Sequence, residues 1–158
     1  MILETQPAWS THLRSRAMLR VAARTHFGDP ALAVAAVGGS SRSLLRDLNA
    51  FGCLFESMVI RDCRIYCDPI DGAVFHYRDS DELEVDIICE APGAWGAFEV
   101  KLGIDGIDQG AASLLKLAEK VDTSKVGDPA VLGVITATGY GYTRPDGVVV
   151  IPIGALGP

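Results

Sequence analysis

Two neighbouring segments of the chain carry charged side chains at a spacing that suits catalysis. Glu84 and Asp86 alternate with apolar residues in the first segment, as do Glu99 and Lys101 in the second. If the segments are strands of a hairpin whose connection has an even number of residues, Asp86 lies opposite Glu99. The same register places Glu84 opposite Lys101. The spacing therefore predicts two carboxylates side by side, with a lysine next to them.

Two adjacent carboxylates repel each other, and a bound divalent cation removes that repulsion. Oxygen ligands with an open approach side suit Mg²⁺ or Mn²⁺. We therefore expect a metal held by Asp86 and Glu99, with the backbone carbonyl of Val100 as a further ligand. Lys101 is placed to orient an attacking water or to offset charge that develops on a phosphate. This donor set predicts metal-assisted hydrolysis of a phosphodiester.

The same residues are also compatible with an ordinary solvated hairpin face. Cross-strand ion pairs on such a face contribute little to stability, and the charges would then have no chemical role. His76 alternates with its neighbours as a half-buried strand residue does, which favours a structural position over the role of a general base. Arg78 faces the same side as His76 and is therefore a candidate phosphate contact. Tyr140 and Tyr142 indicate either a flexible turn or a pair of rings that stack on bases.

The spacing of apolar residues predicts the elements that position these side chains. A helical face begins near residue 48, and Asp68-Pro69 stops that helix. The remaining elements are three strands over 73–78, 82–89 and 96–102, a helix over 108–121, and two strands over 130–138 and 148–153. This order indicates an α/β fold with a mixed sheet flanked by helices.

The first 48 residues are predicted to form an N-terminal helical segment. It packs on a core formed by residues 49–158, and the two together make one structural domain. Arg16, Arg20 and Arg24 recur every four residues, which places them on one face of a helix. That face is either a solvated surface or a stripe that contacts phosphate. Asp29-Pro30 is a helix start that opens a short alanine-rich helix.

Composition limits the classes of protein that fit the chain. Its 158 residues carry a formal net charge of -6, and the basic excess is confined to residues 1–48, with six arginines and three acids. A uniformly basic nucleic-acid surface is therefore excluded. No apolar run is long enough to span a membrane and no signal peptide is visible, so a cytoplasmic protein with reduced cysteines is expected.

The segments that hold the charged residues also resemble known proteins. The motifs are Leu54-Phe55-Glu56-Ser57, His76-Tyr77-Arg78-Asp79, Glu84-Val85-Asp86, Phe98-Glu99-Val100-Lys101-Leu102-Gly103 and Arg144-Pro145-Asp146-Gly147. They resemble uncharacterised domains that form the C-terminal part of prokaryotic AAA-type ATPases, over most of the chain from about residue 29. The acid at Asp86, followed by Glu99-x-Lys101, is similar to the pattern of the PD-(D/E)xK nuclease superfamily.

The resemblance implies a restriction-endonuclease-like αβββαβ core with a site at Asp86, Glu99 and Lys101. Glu56, on the preceding helix, matches a possible fourth acid. Gln109 stands where some nuclease families place a polar residue near the site, although the tyrosine usual four residues later is absent. Val85 replaces the proline of the superfamily's name, which many members tolerate.

The resemblance also implies partners, namely nucleic acid and an AAA-type ATPase module. A Gly-x-x-x-x-Gly-Lys-Ser/Thr string is absent, so the chain is expected neither to bind a nucleotide nor to hydrolyse ATP by itself. The alternative is a non-catalytic interaction module that docks an ATPase, DNA or a second copy of itself. Trp95 and the Pro92-Gly93 loop are candidates for a homodimer interface in that case.

Overall fold

A computed structural model describes residues 3–11 and 22–157. The strands are β1 (Leu3–Gln6), β2 (Arg24–Phe27), β3 (Ala73–Arg78), β4 (Glu84–Ala91), β5 (Ala94–Lys101), β6 (Val131–Thr136), β7 (Tyr142–Thr143) and β8 (Val149–Pro152). The α-helices are α1 (Pro30–Ala36), α2 (Ser41–Leu44), α3 (Leu48–Cys67), α4 (Ile107–Lys120) and α5 (Thr123–Val126). Three short 3-10 turns lie at Asp68–Ile70, Ile104–Gly106 and Ile153–Ala155.

The main sheet is mixed and has six strands in the order β3-β4-β5-β6-β8-β7. β3, β4 and β5 are antiparallel neighbours, whereas β6 is parallel to both β5 and β8. Each face of this sheet carries a core cluster, one packed against α4 and the other against α3. The predicted α/β fold with a mixed sheet flanked by helices is confirmed. No helix in the described ranges is long and apolar enough to cross a membrane.

α3 begins and ends where local signals predict. The Asp47 carboxylate accepts a hydrogen bond from the Ala50 backbone N–H at 3.0 Å and so caps the first turn. Phe55, Val59 and Ile60 are buried against the sheet. The helix ends at Cys67, directly before Asp68 and Pro69, which form the following 3-10 turn. α3 thereby holds Glu56, in its third turn, against the ends of the central strands.

The hairpin formed by β4 and β5 has the predicted register. Its connection is the two residues Pro92 and Gly93, and Gly93 has a φ of +80°, a conformation that glycine adopts without strain. Ile87 pairs with Phe98, so Asp86 and Glu99 follow one step beyond that pair. The regular backbone pairing of the two strands ends there, and the Asp86 side chain accepts the hydrogen bond of the Val100 backbone N–H instead.

A β-bulge in β4 changes the direction of the side chains at the predicted site. Phe75 pairs with Ile88 and Tyr77 with Val85, so His76 faces two residues of β4 rather than one. The alternation of apolar and charged residues in this segment predicts that Val85 and Ile87 share one face, and the bulge makes that prediction wrong. Val85 packs in the cluster beside α4, whereas Ile87 packs in the cluster beside α3.

The N-terminal region differs from the predicted helical segment over residues 1–48. α1 and α2 are helices there, and Asp29 caps α1 as expected. β1 and β2, however, form a separate two-stranded antiparallel ribbon. Arg24 lies on β2, so the prediction of a helix at this arginine is wrong. Arg16 and Arg20 lie outside the described residues.

Trp95 is not at a surface, contrary to the prediction of an interface residue. It is 3% exposed, and its ring centroid lies 4.9 Å from that of Trp9. The indole N–H of Trp95 donates to the Gly127 carbonyl at 3.0 Å, and that of Trp9 donates to Glu90 at 2.6 Å. These two rings anchor the segment after β1 to the main sheet.

Candidate active site

Three carboxylates meet where α3 passes the ends of β4 and β5. Glu56 comes from α3, Asp86 from the bulge in β4, and Glu99 from the end of β5. We call these three residues the acid cluster. Lys101, the last residue of β5, lies beside them. The structure therefore brings together the four residues predicted as catalytic.

Asp86 stands at the centre of the cluster and uses both carboxylate oxygens. Its Oδ2 accepts a hydrogen bond from the Val100 backbone N–H at 2.9 Å and lies 3.9 Å from Nζ of Lys101. Its Oδ1 lies 3.7 Å from Nη1 of Arg24. The Asp86 carbonyl accepts a hydrogen bond at 2.9 Å from Gln6. Asp86 is thus fixed through both its side chain and its backbone.

Glu99 and Lys101 form a close ion pair at 2.5 Å. Glu99 is 4% exposed, and burial followed by the nearby charge of Asp86 raises the pKa of its carboxyl group above the usual value. Burial alone would lower the pKa of Lys101, but Glu99 and Asp86 raise it above the usual value. Lys101 consequently stays protonated near neutral pH and can act as a cation rather than as a base.

Glu56 completes the cluster on the α3 side. Burial and, after it, the charge of Asp86 raise the pKa of Glu56 to about 7. Its Oε1 lies 3.9 Å from Nη1 of Arg24. Even with Arg24 and Lys101 nearby, burial and the neighbouring acid make Glu56 and Glu99 harder to ionise than free carboxylic acids.

The chain at the start of α4 packs close to the cluster because of two glycines, Gly106 at the end of the preceding 3-10 turn and Gly110 in the first turn of α4. A Cβ on Gly110 would lie 3.1 Å from Cβ of Glu99, and one on Gly106 would lie 2.9 Å from Cδ of Lys101. Beside α4, a cleft of about 550 Å³ is lined by Asp86, Glu99, Lys101 and Gln109. Gln109 is exposed, so the structure places it within reach of a molecule that enters this cleft.

Other predicted contacts are arranged differently. Glu84 does not pair with Lys101: its Oε1 lies 2.7 Å from Nε of Arg78 and its Oε2 lies 2.5 Å from Nη2 of Arg24. Arg78, the predicted phosphate contact, therefore forms an ion pair with Glu84. His76 is 1% exposed, and its Nε2 lies 3.0 Å from the Ala22 carbonyl oxygen, which leaves it remote from solvent.

Two residues at the site were missed by the sequence argument, and both lie on the ribbon. Arg24 was assigned to a helix because of its spacing from other arginines, although Thr25, His26 and Phe27 directly before a glycine are typical of a strand. Gln6 is 0% exposed and donates from Nε2 to the carbonyls of Phe75 and Asp86, both at 2.9 Å. No local pattern marks that glutamine.

The acid cluster has the donor chemistry of a divalent-cation site, since carboxylate oxygens are the ligands that Mg²⁺ and Mn²⁺ prefer. Among residues 3–11 and 22–157, however, no group of three or more His, Cys, Asp or Glu side chains is arranged to hold a metal ion. Arg24 and Lys101 instead each lie within 4 Å of two acids of the cluster.

Comparison with known proteins identifies a family but no characterised relative. No curated protein matches the chain. No solved structure matches it either. Residues 51–156, which run from α3 through β8 and include the whole acid cluster, match a family described as a domain of unknown function, DUF4143. The chain therefore belongs to the DUF4143 family.

Proposed function

We propose that this domain is a nuclease-like module that hydrolyses phosphodiester bonds of nucleic acid with the help of Mg²⁺ or Mn²⁺. The observation that carries the proposal is the convergence of Asp86, Glu99 and Lys101 beside an open cleft, with Glu56 completing the acid cluster. The order α3-β3-β4-β5-α4-β6 supports a restriction-endonuclease-like core, because that superfamily has the same αβββαβ order.

Asp86 and Glu99 would hold the cation, with the Val100 carbonyl as the further oxygen ligand predicted from the sequence. When bound, the metal would supply Lewis-acid polarisation of a phosphate oxygen. Lys101 keeps its proton and offsets negative charge that grows on the phosphate. Glu56, whose pKa is about 7, suits the acceptance of a proton from the attacking water near neutral pH. Gln109 lies on the cleft wall and is placed to contact substrate.

We test this proposal by Mn²⁺-dependent nicking of supercoiled plasmid and of branched DNA. Lys101→Ala is expected to reduce the rate at least ~100-fold, a loss typical for removal of one group that stabilises developing charge. Lys116→Ala is the matched control, because Lys116 lines the same cleft and its loss removes the same charge. Activity that persists in Lys101→Ala would contradict the proposal and indicate a contaminating nuclease.

A second candidate function is a non-catalytic interaction module that binds an ATPase, DNA or a second copy of the chain. It is favoured by one observation, namely that Arg24 already neutralises Asp86 and Glu56 from within the chain. Under this alternative no variant shows metal-dependent cleavage, and DNA binding or self-association is independent of Mn²⁺. We further propose an AAA-type ATPase as the partner, which rests on the resemblance of the sequence motifs alone.

A further inference from the structure

Arg24 occupies an unusual position for an arginine near a proposed metal site. Its Nη1 lies 3.7 Å from Oδ1 of Asp86 and 3.9 Å from Oε1 of Glu56, and its Nη2 lies 2.5 Å from Oε2 of Glu84. One guanidinium thus contacts three acids that arise from α3 and β4. A divalent cation bound to Asp86 would bring a second strong positive charge within the same few ångströms.

The position of Arg24 depends on the N-terminal ribbon rather than on the family domain. Arg24 begins β2, outside the matched residues 51–156, and pairs with Gln6 of β1. β1 is firmly attached, because Gln6 is buried and its side chain bonds the carbonyls of Phe75 and Asp86. The attachment continues past β1, where the Trp9 backbone N–H donates to the His76 carbonyl at 2.7 Å.

β2 is held by its pairing with β1, by packing against α3 and by the Arg24 ion pairs. His26 lies 2.9 Å from the Gln6 side chain, and the Ala22 carbonyl, two residues before β2, lies 3.0 Å from Nε2 of His76. Arg24 is also 24% exposed in its side chain. The guanidinium can therefore swing towards solvent while β1 stays docked, because its ion pairs are made by a long, flexible side chain at the edge of the site.

We propose that Arg24 is an intrachain counter-ion that competes with the divalent cation for Asp86, so that the ribbon restrains metal loading. The inference rests on the proposed function, since Asp86 is one of the two carboxylates proposed to hold the metal. Binding of the metal requires Arg24 to withdraw, and removal of Arg24 makes the site easier to load. The coupling is reciprocal: a loaded metal weakens the attachment of β2 to the core.

The experiment measures Mn²⁺ binding directly, by electron paramagnetic resonance of free Mn²⁺ and by calorimetry. Wild type is compared with Arg24→Gln, Arg24→Lys and Arg78→Gln, after circular dichroism has shown that each variant is folded. Arg78→Gln is the matched control, because Arg78 pairs with the other oxygen of Glu84 and, in the described part of the chain, forms no ion pair with Asp86 or Glu56.

Arg24→Gln is expected to bind Mn²⁺ about 10-fold more tightly than wild type, within the range usual for coupled sites. Adding Asp86→Asn to that variant should abolish the gain. Arg78→Gln and Arg24→Lys should stay close to wild type. Hydrogen exchange of the backbone amides of β2 in wild type should become faster when Mn²⁺ is added, because the strand loses its contact with the core.

Three results would overturn the inference, and they differ in what they say of the proposed function. Equal Mn²⁺ affinity in wild type and Arg24→Gln, with binding still dependent on Asp86, removes the role of Arg24 but keeps the metal site. Failure of both proteins to bind Mn²⁺ removes the metal site as well. Arg24→Lys that binds as tightly as Arg24→Gln also overturns the inference, since charge would then not be the determinant.

Discussion

The molecule buries acidic groups in two places, and the two are satisfied very differently. In the first, which we call the Asp79 network, Asp79 is 0% exposed and its carboxylate accepts four hydrogen bonds. The donors are the Tyr77 hydroxyl at 2.9 Å, the backbone N–H groups of Asp81 and Leu83 at 2.9 and 3.1 Å, and Lys120 at 2.6 Å. Although burial opposes ionisation, Lys120 and Tyr77 hold the pKa of Asp79 below its usual value.

The acid cluster has the opposite balance of donors and acids. Glu99 is nearly as buried as Asp79, but its hydrogen-bond partner is Lys101, which also lies near Asp86. Burial and the neighbouring acid raise the pKa values of Glu56 and Glu99 instead of lowering them. Burial alone therefore does not set the pKa of these carboxyl groups. The number of donors differs between the two places, and the shortage of donors at the acid cluster supports the function proposed for it.

The largest effect is expected from Asp79→Asn. The amide keeps the shape of the side chain but removes the charge, so Lys120 loses its buried partner and at least one donor faces an NH₂ group. We expect the free energy of unfolding, measured by urea denaturation at pH 7, to fall by ~2–4 kcal/mol. Asp81→Asn is the control, because Asp81 pairs with the same lysine while 59% of its side chain is exposed. Its effect should stay below ~1 kcal/mol. Equal losses of unfolding free energy in the two variants would contradict the view that the buried Asp79 carboxylate, rather than any acid beside Lys120, stabilises this network.

A smaller effect of opposite sign is expected from Glu56→Gln. A carboxyl group whose pKa rises from 4.5 to about 7 on folding keeps a proton that the unfolded chain releases. Its contribution to stability therefore falls as pH increases from about 4.5 to 7. Glutamine cannot ionise, so the variant should be more stable than wild type by ~1–3 kcal/mol at pH 8. Urea titrations at pH 8 and pH 5 test this, since the difference should shrink to about a quarter at the lower pH. A variant less stable than wild type at pH 8 would show that Arg24 and Lys101 fully offset the cost of ionising Glu56 in the folded chain.

The sequence predicted those parts of the site that depend on local signals. Asp47 and Asp68-Pro69 bound α3, and the Pro92-Gly93 turn sets the register of the β4–β5 hairpin, so Asp86, Glu99 and Lys101 were found from their own neighbourhoods. Glu56 was added only by the resemblance to the nuclease superfamily. These signals act within a few residues, which is why periodicity and turn chemistry reveal them.

The parts that were missed depend on contacts between distant segments. The bulge opposite His76 appears only when β3 and β4 are paired, and it separates Val85 from Ile87. Arg24 reaches acids on α3 and β4 through a ribbon whose pairing with β1 has no signature within the arginine's own segment. The regular arginine spacing predicted a helix. Tertiary contacts outweigh that local periodicity at Arg24, which lies on a strand.

The smallest effect concerns the ribbon that delivers Arg24, and its pH dependence has the opposite sign to that of Glu56. Burial, and then the charge of Arg24, lower the pKa of His26 from 6.5 to about 4, while Arg64 and His76 act in the same direction and Asp86 opposes them. Between these two pH values the unfolded chain binds a proton at His26 that the folded chain does not bind. The contribution of neutral His26 to the free energy of unfolding is therefore complete above pH 6.5 and is lost as pH falls towards 4.

His26→Gln keeps a polar partner for Gln6 and removes this titration. The stability difference between wild type and variant should change by ~1–2 kcal/mol between pH 7 and pH 4.5, with wild type losing more on acidification. Urea titrations of the two proteins across that range measure the difference, and the contribution of Glu56 cancels because both proteins contain it. A pH-independent difference would mean that folding does not change the pKa of His26, so that its protonation leaves the ribbon in place. The acid cluster would then keep Arg24 at low pH, and its contrast with the Asp79 network would rest on the carboxylates alone.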